Sequence, residues 1–411
     1  MASSSCSSAR LAPARARTSR SATRVGYNGA RPLARRHVSA SASSSSIVVA
    51  GAAGQTGVRV VERLVERGFH VKAIVRDADK AKETLDAVMA NAKSGSVEIV
   101  KADLTKQKDA EAIRAALEGA QAAVWAADTK SLGIVPGPLG IAAMAVPALR
   151  GMVPKPKADF TALTNFLDAA KEVAKPNFRL AMLTSAAVTR LGWHEDKQKH
   201  LDSVVDIPIV RLNPFGVLDV QREAEEVVRT YGISYAIVRP VGLKDDDSWP
   251  PARPVLAQGD VLVGRANRRD VADVLIAAAT LPECEGKTFE MATITGYPPN
   301  DEGLAPSADL LKTDKERVAM GEDLGLGAVE YDATSAGEAF VDANRIAASQ
   351  LLPGMTQDAT KLEMGRTYEQ LDRGEVNRES GTEATPRERA LAATGSRRWF
   401  APPVPNQDRE R

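Results

Sequence analysis

The sequence predicts an α/β fold built on a doubly wound parallel sheet, followed by a weakly structured C-terminal tail. Three observations predict it. From Ser46 onward, short apolar runs alternate with segments of about 10–15 residues that have helical periodicity. A glycine-rich turn separates the first apolar run from the first helical segment. From about Pro298 the chain becomes highly charged and only weakly periodic.

The first half of the domain contains four predicted strands and three predicted helices. The run at 46–50 is apolar and β-branched, which is typical of a strand buried on both faces. Val58, Val61, Leu64 and Val65 then share one face of a helix that ends near residue 68. The elements that follow are a strand at 69–75, a helix at 79–90, a strand at 97–100, a helix at 108–117 and a strand at 121–126.

The alternation continues after an interruption. A helix is predicted at 159–171, because Leu163, Phe166, Leu167 and Ala170 fall on one face. The elements that follow are a strand at 179–184, a helix at 222–231 ended by Gly232, and a strand at 233–238 that leads into Arg239-Pro240. This alternation of short apolar strands and helices predicts a parallel, doubly wound sheet.

The interruption is an inserted loop at 131–157, and its first nineteen residues (131–149) carry no charge. That length could span a membrane, but Pro136, Pro138 and Pro147 would remove helix hydrogen bonds that cannot be replaced in lipid. We expect a loop on the cofactor or substrate side of the domain. The alternative is a surface that lies on a membrane or on a partner, so peripheral membrane contact stays open, without a transmembrane helix.

Residues 1–41 have the composition of a transit peptide. The stretch is rich in serine, holds eight arginines and has no acidic residue, and the first acidic residue of the chain is Glu62. The Met-Ala-Ser start and the dense serines favour a plastid, which predicts a chloroplast protein of the stroma, with thylakoid or envelope association open. The alternative interpretation is a disordered basic arm that binds nucleic acid.

Charge and cysteine content exclude two classes of function. Without the N-terminal segment the chain holds 46 basic and 53 acidic residues, a formal charge of −7, which argues against a nucleic-acid partner. Cys284 is the single cysteine outside that segment, so neither a disulfide within the domain nor a cysteine metal cluster is expected. The histidines have no metal-ligand spacing, and we predict no metal site.

Residues 299–411 form a charged C-terminal extension with short helix-like pieces, such as 336–352. Trp399 and Phe400 stand together among polar residues and prolines near its end. One interpretation is a partly disordered tail. The other is a docking segment whose aromatic pair inserts into a protein partner.

The glycine turn carries the strongest functional signal. Gly51 permits a tight exit from the first strand, Gly54 lets a pyrophosphate approach the backbone, and Gly57 lets the helix pack closely on the sheet. Gln55 and Thr56 open the helix, where free N–H groups face phosphate oxygens. A strand before and a helix after this spacing predict a dinucleotide-binding domain of the Rossmann type over residues 46–298.

The tip of the second strand favours NADP(H) over NAD(H). An arginine there accommodates a 2′-phosphate, whereas an acidic residue would bind the ribose 2′-hydroxyl. Arg76 occupies the tip, and we expect Asp77 to cap the next helix. Asp103, after the third strand, either receives the adenine amino group or caps a helix. Ala126 and Pro240, at the ends of the fourth and sixth strands, complete the predicted cofactor site together with Ser185.

Several segments resemble the atypical short-chain dehydrogenase/reductase group, and in particular its NmrA-like plastid members. The resemblance covers roughly residues 46–298 and is carried by the glycine spacing 51–57, by 71–81 (VKAIVRDADKA), 159–172, 181–186, 222–243 and 265–291. It implies a Rossmann core with a small substrate-side lobe formed by the C-terminal part of the domain. It does not extend to the tail.

The chain departs from that group at its catalytic pair. Active members use a tyrosine and a lysine four residues later, and these positions correspond to Val217 and Gln221. A phenol can deliver a proton when a cation lowers its pKa, and valine cannot. Gln221 could still hydrogen-bond a ribose. Ser185 matches the family's serine and is, with Gln221, the candidate for any catalysis; its other interpretation is an ordinary strand-end hydroxyl.

Two functions follow from these expectations. The first is an NADP(H)-binding plastid protein with a regulatory, assembly or redox-sensing role, without the standard tyrosine–lysine chemistry. The second is an NADPH-dependent oxidoreductase that acts on a small carbonyl or quinone-like substrate with other groups. The sequence alone leaves open whether the protein is an enzyme.

Overall fold

The computed structural model describes residues 46–90, 94–127, 158–201, 216–245, 252–295 and 303–322, with a few isolated residues between and beyond them. The predicted transit peptide at 1–41 lies outside the described residues. So do nearly all of the inserted loop at 131–157 and, apart from 303–322 and a few single residues, the extension at 299–411.

A sheet of eight strands runs through the described domain, in the order β3-β2-β1-β4-β5-β6-β10-β8. Each neighbouring pair is parallel except β10 and β8, which are antiparallel. The strands are β1 (Ser46–Ala50), β2 (His70–Val75), β3 (Ser96–Lys101), β4 (Ala122–Trp125), β5 (Arg179–Leu183), β6 (Ser234–Pro240), β8 (Ala252–Ala257) and β10 (Lys287–Thr295). The predicted doubly wound parallel sheet is confirmed.

The helices of the described residues are short to medium in length. They are α1 (Gln55–Glu66), α2 (Ala78–Ala90), α3 (Ala110–Leu117), α4 (Thr161–Val173), α5 (Glu195–His200), α6 (Val217–Thr230), α7 (Arg268–Thr280), α8 (Ala305–Asp309) and α9 (Asp314–Ala319).

Helices cover both faces of the sheet because successive strand residues point to opposite sides. Ile47 and Val49 face a core shared with α1, α2 and α7. Val48 and Ala50 face the opposite core, which contains α3, α4 and part of α6. In that second core the rings of Trp125 and Phe166 meet edge to face, 5.5 Å apart. Both faces of β1 are therefore buried, as its uninterrupted apolar run predicts.

The strand order reverses between β1 and β4, which both pair with parallel neighbours. At such a switch point the connections leave in opposite directions, and a crevice opens beyond the carboxyl ends of the two strands. The fold therefore places a ligand crevice directly above the glycine turn.

The last two strands of the sheet, β10 and the edge strand β8, were not predicted from the sequence. The sequence of β8 contains Pro254, which argues against a central strand because proline cannot donate to a neighbour. Since β8 lies at the edge of the sheet, it needs partners on one side only. A separate two-stranded parallel sheet joins β7 (Gly242–Lys244) to β9 (Arg265–Asn267).

Residues 303–322 pack on the domain, although they follow the boundary predicted near 298. Asp314 lies at the centre of this contact: its carboxylate accepts hydrogen bonds from the backbone N–H of Thr288 on β10 (2.8 Å) and from the hydroxyl of Tyr235 on β6 (3.1 Å). The backbone N–H of Lys312 donates to Gln258 Oε1 (2.9 Å). Ordered packing therefore continues at least 20 residues into the charged extension.

Candidate functional site

The glycine turn leaves β1 at the carboxyl edge of the sheet. Gly51 has a φ of +79°, and a Cβ placed on it would lie 2.6–2.7 Å from backbone atoms of Ala126 and Ala127. Only glycine fits both the left-handed conformation and this close approach to the neighbouring strand end.

The other two glycines of the turn hold the helix start close to the strand exit. The N–H of Gly54 donates to the carbonyl of Gly51 (3.0 Å), and a Cβ on Gly57 would overlap that same carbonyl. Thr56 is buried, and Gln55 is exposed at the first position of α1. No side chain caps this helix, and its first turn has no acidic residue, so its N-terminus is suited to an anion.

A cavity of about 350 Å³ lies next to the turn, bounded by the carboxyl ends of β2, β3 and β4 and by the first turns of α2. Five of the predicted cofactor-binding residues line it: Gly51, Gly54, Arg76, Asp103 and Ala126. Lys80 and Thr84, on successive turns of α2, also line it and were not predicted. Residues four apart on a helix share one face, so the spacing of Lys80 and Thr84 is the feature of the sequence that could have predicted this pair.

Asp77 caps α2, as the sequence analysis expects. Its Oδ1 accepts a hydrogen bond from the backbone N–H of Lys80, at 3.1 Å. A carboxylate used in this way is a weak candidate for the ribose 2′-hydroxyl. Arg76, the preceding residue, is exposed on the cavity side. The polarity of the cavity rim thus favours a phosphate over a hydroxyl.

Asp103 closes a tight turn at the end of β3. Its Oδ1 accepts hydrogen bonds from the N–H (3.0 Å) and the hydroxyl (2.7 Å) of Thr105. Burial raises the pKa of the Asp103 carboxyl, but these hydrogen bonds and the charges of Lys106 and Arg76 more than offset it, so that the pKa lies below its usual value. Asp103 is therefore an anionic acceptor on the cavity wall, and it caps the turn rather than a helix.

Ser185 and Pro240 lie together at the ends of β5 and β6, outside the cavity that Arg76 lines. The backbone N–H of Ala186 donates to the carbonyl of Pro240 (2.9 Å), and the Ser185 hydroxyl donates to the carbonyl of Ala186 (2.9 Å). The fold thus places both residues on the β5–β6 side of the crevice.

A buried cluster fixes the end of β5 to α6. Glu225 is fully buried, and its carboxylate accepts hydrogen bonds from Thr184 Oγ1 (2.7 Å), Arg239 Nη2 (2.6 Å) and Arg229 Nη2 (2.8 Å). Burial alone would raise the pKa of the Glu225 carboxyl. The charges of Arg239 and Arg229 outweigh this effect, so that the pKa lies below its usual value. This cluster was not predicted; its one local signal in the sequence is a glutamate on the apolar face of α6.

A second buried carboxylate fixes the loop after Ser185. Asp260 accepts hydrogen bonds from the N–H of Ala187 (2.6 Å), the N–H of Thr189 (2.8 Å) and the Thr189 hydroxyl (2.7 Å). Ala187 has a φ of +79°, which a non-glycine residue adopts only when its surroundings impose it. Arg190, fully buried, lies 3.6 Å from the same carboxylate.

Val217 and Gln221 occupy the first turns of α6. Val217 packs among apolar side chains of two buried clusters. Gln221 is half-buried, and its Oε1 is fully buried and has no hydrogen-bond partner in the described part of the chain. The side of the crevice near β5 therefore lacks the phenol that proton transfer would need at this position.

Two further observations concern the described residues alone. No helix in this part of the chain combines the length and the apolar character needed to cross a bilayer. Nor do three or more acidic, histidine or cysteine side chains converge there in a way that could hold a metal ion.

A family described as NAD(P)H-binding matches residues 51–282. An uncharacterized chloroplastic protein of Arabidopsis thaliana is 31% identical over 252 residues, which cover 60% of this chain and 76% of that protein. Protein TIC 62, chloroplastic, of the same plant is 30% identical over 282 residues, 65% of this chain but 38% of that protein.

The fold is also similar to that of a solved short-chain dehydrogenase/reductase from Veillonella parvula in complex with NADP. The two chains are 13% identical, the TM-score is 0.39, and the alignment covers 60% of this chain and 94% of the other.

Proposed function

We propose a function for this chain from one premise: the chain belongs to the NAD(P)H-binding family. The protein is an NADP(H)-binding chloroplast protein whose role is regulatory or redox-sensing. It responds to the bound cofactor without the tyrosine–lysine chemistry of the short-chain dehydrogenases. The single observation that carries this proposal is the contrast between a complete binding turn at Gly51–Gly57 and the pair Val217 and Gln221.

The glycine turn supports the binding of the cofactor. A Cβ at Gly51 or at Gly57 would overlap backbone atoms, so these glycines keep the tight turn that brings the start of α1 to the crevice. The uncapped N-terminus of α1, with Gln55 and Thr56 in its first turn, supplies N–H donors and a favourable dipole for the pyrophosphate. These features support a dinucleotide whose phosphates lie against residues 51–57.

The end of β2 supports NADP(H) as the preferred form. Asp77 is used as a helix cap, so its carboxylate does not compete for the ribose. Arg76 lines the cavity beside it, and a guanidinium binds a phosphate with paired, charge-assisted hydrogen bonds. Asp103 would hold the adenine amino group from the opposite wall.

The end of β5 supports a role other than standard reduction. A bound NADPH supplies a hydride, and the protein must then deliver a proton to the reduced group. Val217 has no acidic proton to deliver. Gln221 is neutral, so it does not lower the pKa of a neighbouring group as a lysine would. The charged side chains near this end, Glu225 and Arg239, are buried and paired with each other.

The chloroplast location rests on the relatives. Both are chloroplastic proteins by name, and the predicted transit peptide agrees with that location. This chain spans less than half the length of the TIC 62 proteins that it matches. The association of this chain with the stroma, a thylakoid or the envelope, and contact with a protein partner through residues 299–411, are parts of the proposal.

The test is a titration of the protein with NADPH and with NADH, followed by tryptophan fluorescence. Trp125 precedes Ala126, which lines the cavity, so its emission should report binding. We expect Arg76→Ala to weaken NADPH binding about 10- to 100-fold, the scale of a charged hydrogen bond, and to leave NADH binding unchanged. Arg114→Ala, on the outer face of α3, is the matched control and should change neither affinity.

The titration and a turnover assay can each refute the proposal. Equal affinities for NADPH and NADH in the wild-type chain would remove the preference assigned to Arg76. NADPH turnover with a plastid carbonyl or quinone, abolished by Arg76→Ala, would replace the regulatory role with an enzymatic one.

The runner-up function is an NADPH-dependent oxidoreductase for a small carbonyl or quinone-like substrate. The rigid loop after β5 favours it, because Asp260 fixes the chain directly after Ser185 and a hydroxyl so placed can orient a carbonyl. A panel of such substrates should then show NADPH oxidation that Ser185→Ala reduces at least about tenfold. No oxidation across the panel would rule out this function for those substrates.

A further inference from the structure

Two backbone segments that meet beside Ser185 each contain a non-glycine residue in the left-handed conformation. Ala187 has a φ of +79° and Asp260 a φ of +60°. The N–H of Ala187 donates to Asp260 Oδ1 (2.6 Å), so the two residues are in direct contact. A left-handed alanine persists only where its surroundings impose it, and such positions cluster at functional sites. The groups that impose this conformation lie around residues 260–262.

Residues 260–262, which we call the strap, lie between β8 and β9, and side chains of opposite charge bind their backbone. Glu290 on β10 accepts hydrogen bonds from the N–H of Asp260 and from the N–H of Leu262 (2.7 Å). Arg190 donates to the carbonyl of Asp260 (2.7 Å) and to the carbonyl of Leu262 (2.6 Å). Both charged side chains are buried. Because hydrogen bonds with a charged partner are stronger than neutral ones, the strap is held firmly in one position.

The strap in turn holds the loop that follows β5, residues 185–190, which we call the β5 loop. The Asp260 carboxylate accepts hydrogen bonds from the N–H of Ala187 and from the N–H (2.8 Å) and the hydroxyl (2.7 Å) of Thr189. Arg190, the last residue of the β5 loop, binds the strap in return. Loop and strap therefore form one unit, and Glu290 anchors that unit to the central sheet.

The β5 loop lies on the side of the crevice that takes the second half of a bound dinucleotide. The cavity lined by Arg76 and Asp103 lies towards β2 and β3, and the glycine turn at 51–57 would hold the phosphates. A dinucleotide bound there extends across the switch point towards β4 and β5. Its nicotinamide half then reaches the start of the β5 loop, at Ser185.

Glu290 acts on this side of the crevice from a distance. The residue is only 1% exposed, and both of its carboxylate oxygens accept N–H groups of the strap. Within the sheet, Glu290 pairs with Arg239 of β6 and with Ala257 of β8, so its backbone is fixed from both sides. A change at Glu290 therefore reaches the crevice through the strap and the β5 loop.

We propose that Glu290 is a positioning residue for the nicotinamide half of the NADP(H) site. Through the strap it holds the β5 loop in the left-handed conformation at Ala187, which gives the loop the shape against which the nicotinamide half binds. This inference rests on the proposed function, since NADP(H) is the ligand concerned. Glu290 makes no contact with the cofactor, and its effect is confined to ligands that reach the β5 loop.

The test compares two ligands in the variant Glu290→Gln. NADPH reaches the β5 loop, whereas 2′,5′-ADP lacks the nicotinamide-ribose end and does not. The amide oxygen of glutamine accepts one of the two N–H groups of the strap, but its NH2 group then faces the other donor. We expect the dissociation constant of NADPH to rise about 5- to 10-fold, the range for the loss of one hydrogen bond, and that of 2′,5′-ADP to stay within about twofold.

Thr293→Val is the matched control on the same strand. Thr293 is buried, and its hydroxyl accepts a hydrogen bond from the N–H of Asn267 (3.3 Å). It lies three residues after Glu290 and therefore on the opposite face of β10, away from the strap. Both variants should lower Tm, but Thr293→Val should leave both dissociation constants within about twofold. A purely structural role for Glu290 predicts instead that the two ligands lose affinity together.

A double-mutant cycle with Asp260→Asn tests whether Glu290 acts through the strap. Asp260→Asn weakens the hold on Ala187 and Thr189 directly, and it should raise the dissociation constant of NADPH selectively, by at least as much as Glu290→Gln. Adding Glu290→Gln to it should change the value by less than about twofold, because the β5 loop has already been released. If Glu290→Gln does not fold, Asp260→Asn decides alone: an unselective or absent loss of NADPH affinity overturns the inference.

Three results for a folded Glu290→Gln variant would overturn the inference: an unchanged NADPH affinity, an equal loss of 2′,5′-ADP binding, or full additivity with Asp260→Asn. Failure of the wild-type chain to bind 2′,5′-ADP is a different result. It would overturn the proposed function itself, and with it the premise of this inference.

Discussion

The two halves of the crevice differ in where their polar groups are directed. On the adenosine side, the glycine turn, Arg76 and Asp103 direct backbone and side-chain groups towards a cavity. On the nicotinamide side, buried polar groups are directed towards one another, in the clusters around Glu225 and Asp260. One half is arranged to receive a ligand, and the other is largely satisfied by the chain itself.

This difference shows how binding and catalysis can separate within one fold. A paired, buried charge stabilises local geometry but is not available to a reacting group, because exchanging its partner would leave a charge uncompensated in a medium of low dielectric constant. The buried charges on this side of the crevice therefore hold the backbone of the domain in place and are not available to a ligand.

Glu225→Ala should produce the largest loss of stability, on the nicotinamide side. It leaves the buried guanidinium of Arg239 without its carboxylate, and breaking a buried ion pair in this way costs roughly 3–5 kcal/mol. Urea denaturation measures the free energy of unfolding. Glu223→Ala, on the exposed face of the same helix, should change it by less than about 0.5 kcal/mol. Similar values for the two variants would contradict the account of this cluster.

The same cluster predicts a dependence of stability on pH. Since the pKa of Glu225 is lower in the folded state than in the unfolded state, its contribution is fully present above the unfolded value, about 4.3. It is lost as the pH falls through the lower, folded pKa. The difference in unfolding free energy between wild type and Glu225→Ala should therefore shrink below about pH 4. A constant difference down to acid unfolding would show that the carboxylate charge is unimportant.

Gly57→Ala should give the next largest effect, on the adenosine side. The added methyl group overlaps the carbonyl of Gly51, so the helix must move away from the turn at a cost of about 1–3 kcal/mol. NADPH and 2′,5′-ADP should both bind more weakly, because the phosphate-binding N–H groups move with α1. Gly192→Ala is the control, since nothing lies within 4 Å of a Cβ there. Unchanged affinity in Gly57→Ala would refute the role of the turn.

Asp77→Ala should give the smallest effect and sharpens the account of the adenosine side. It removes the cap of α2 and should lower stability by about 1 kcal/mol. The ratio of NADPH to NADH affinity should stay within a factor of about two, because this carboxylate does not hold the ribose. Asp79→Ala, in the first turn of the same helix, is the matched control. A fall in NADH affinity alone would reassign Asp77 to the ribose hydroxyl.

The adenosine half was largely predictable from the sequence, whereas the nicotinamide half was not. Gly54 and Asp77 act through neighbours three residues away, and turns and helix caps leave local patterns. The partners of Asp260 lie about 70 residues earlier in the chain, and no local pattern announces such a pair. The same reasoning explains why β1 to β6 were predicted and β8 was not.

The contact between Asp314 and the domain has a practical consequence for shortened forms of this protein. Arg229, Tyr235 and Thr288 all donate hydrogen bonds to this one carboxylate from three different elements. A chain ended at residue 298, where the family resemblance stops, would leave these three donors without their acceptor and would expose the apolar surface under α8. A domain prepared for crystallisation or for spectroscopy should extend past residue 350, because Gln350 is buried against β8 and its side-chain amide pairs with the N–H (2.8 Å) and the carbonyl (2.6 Å) of Leu256.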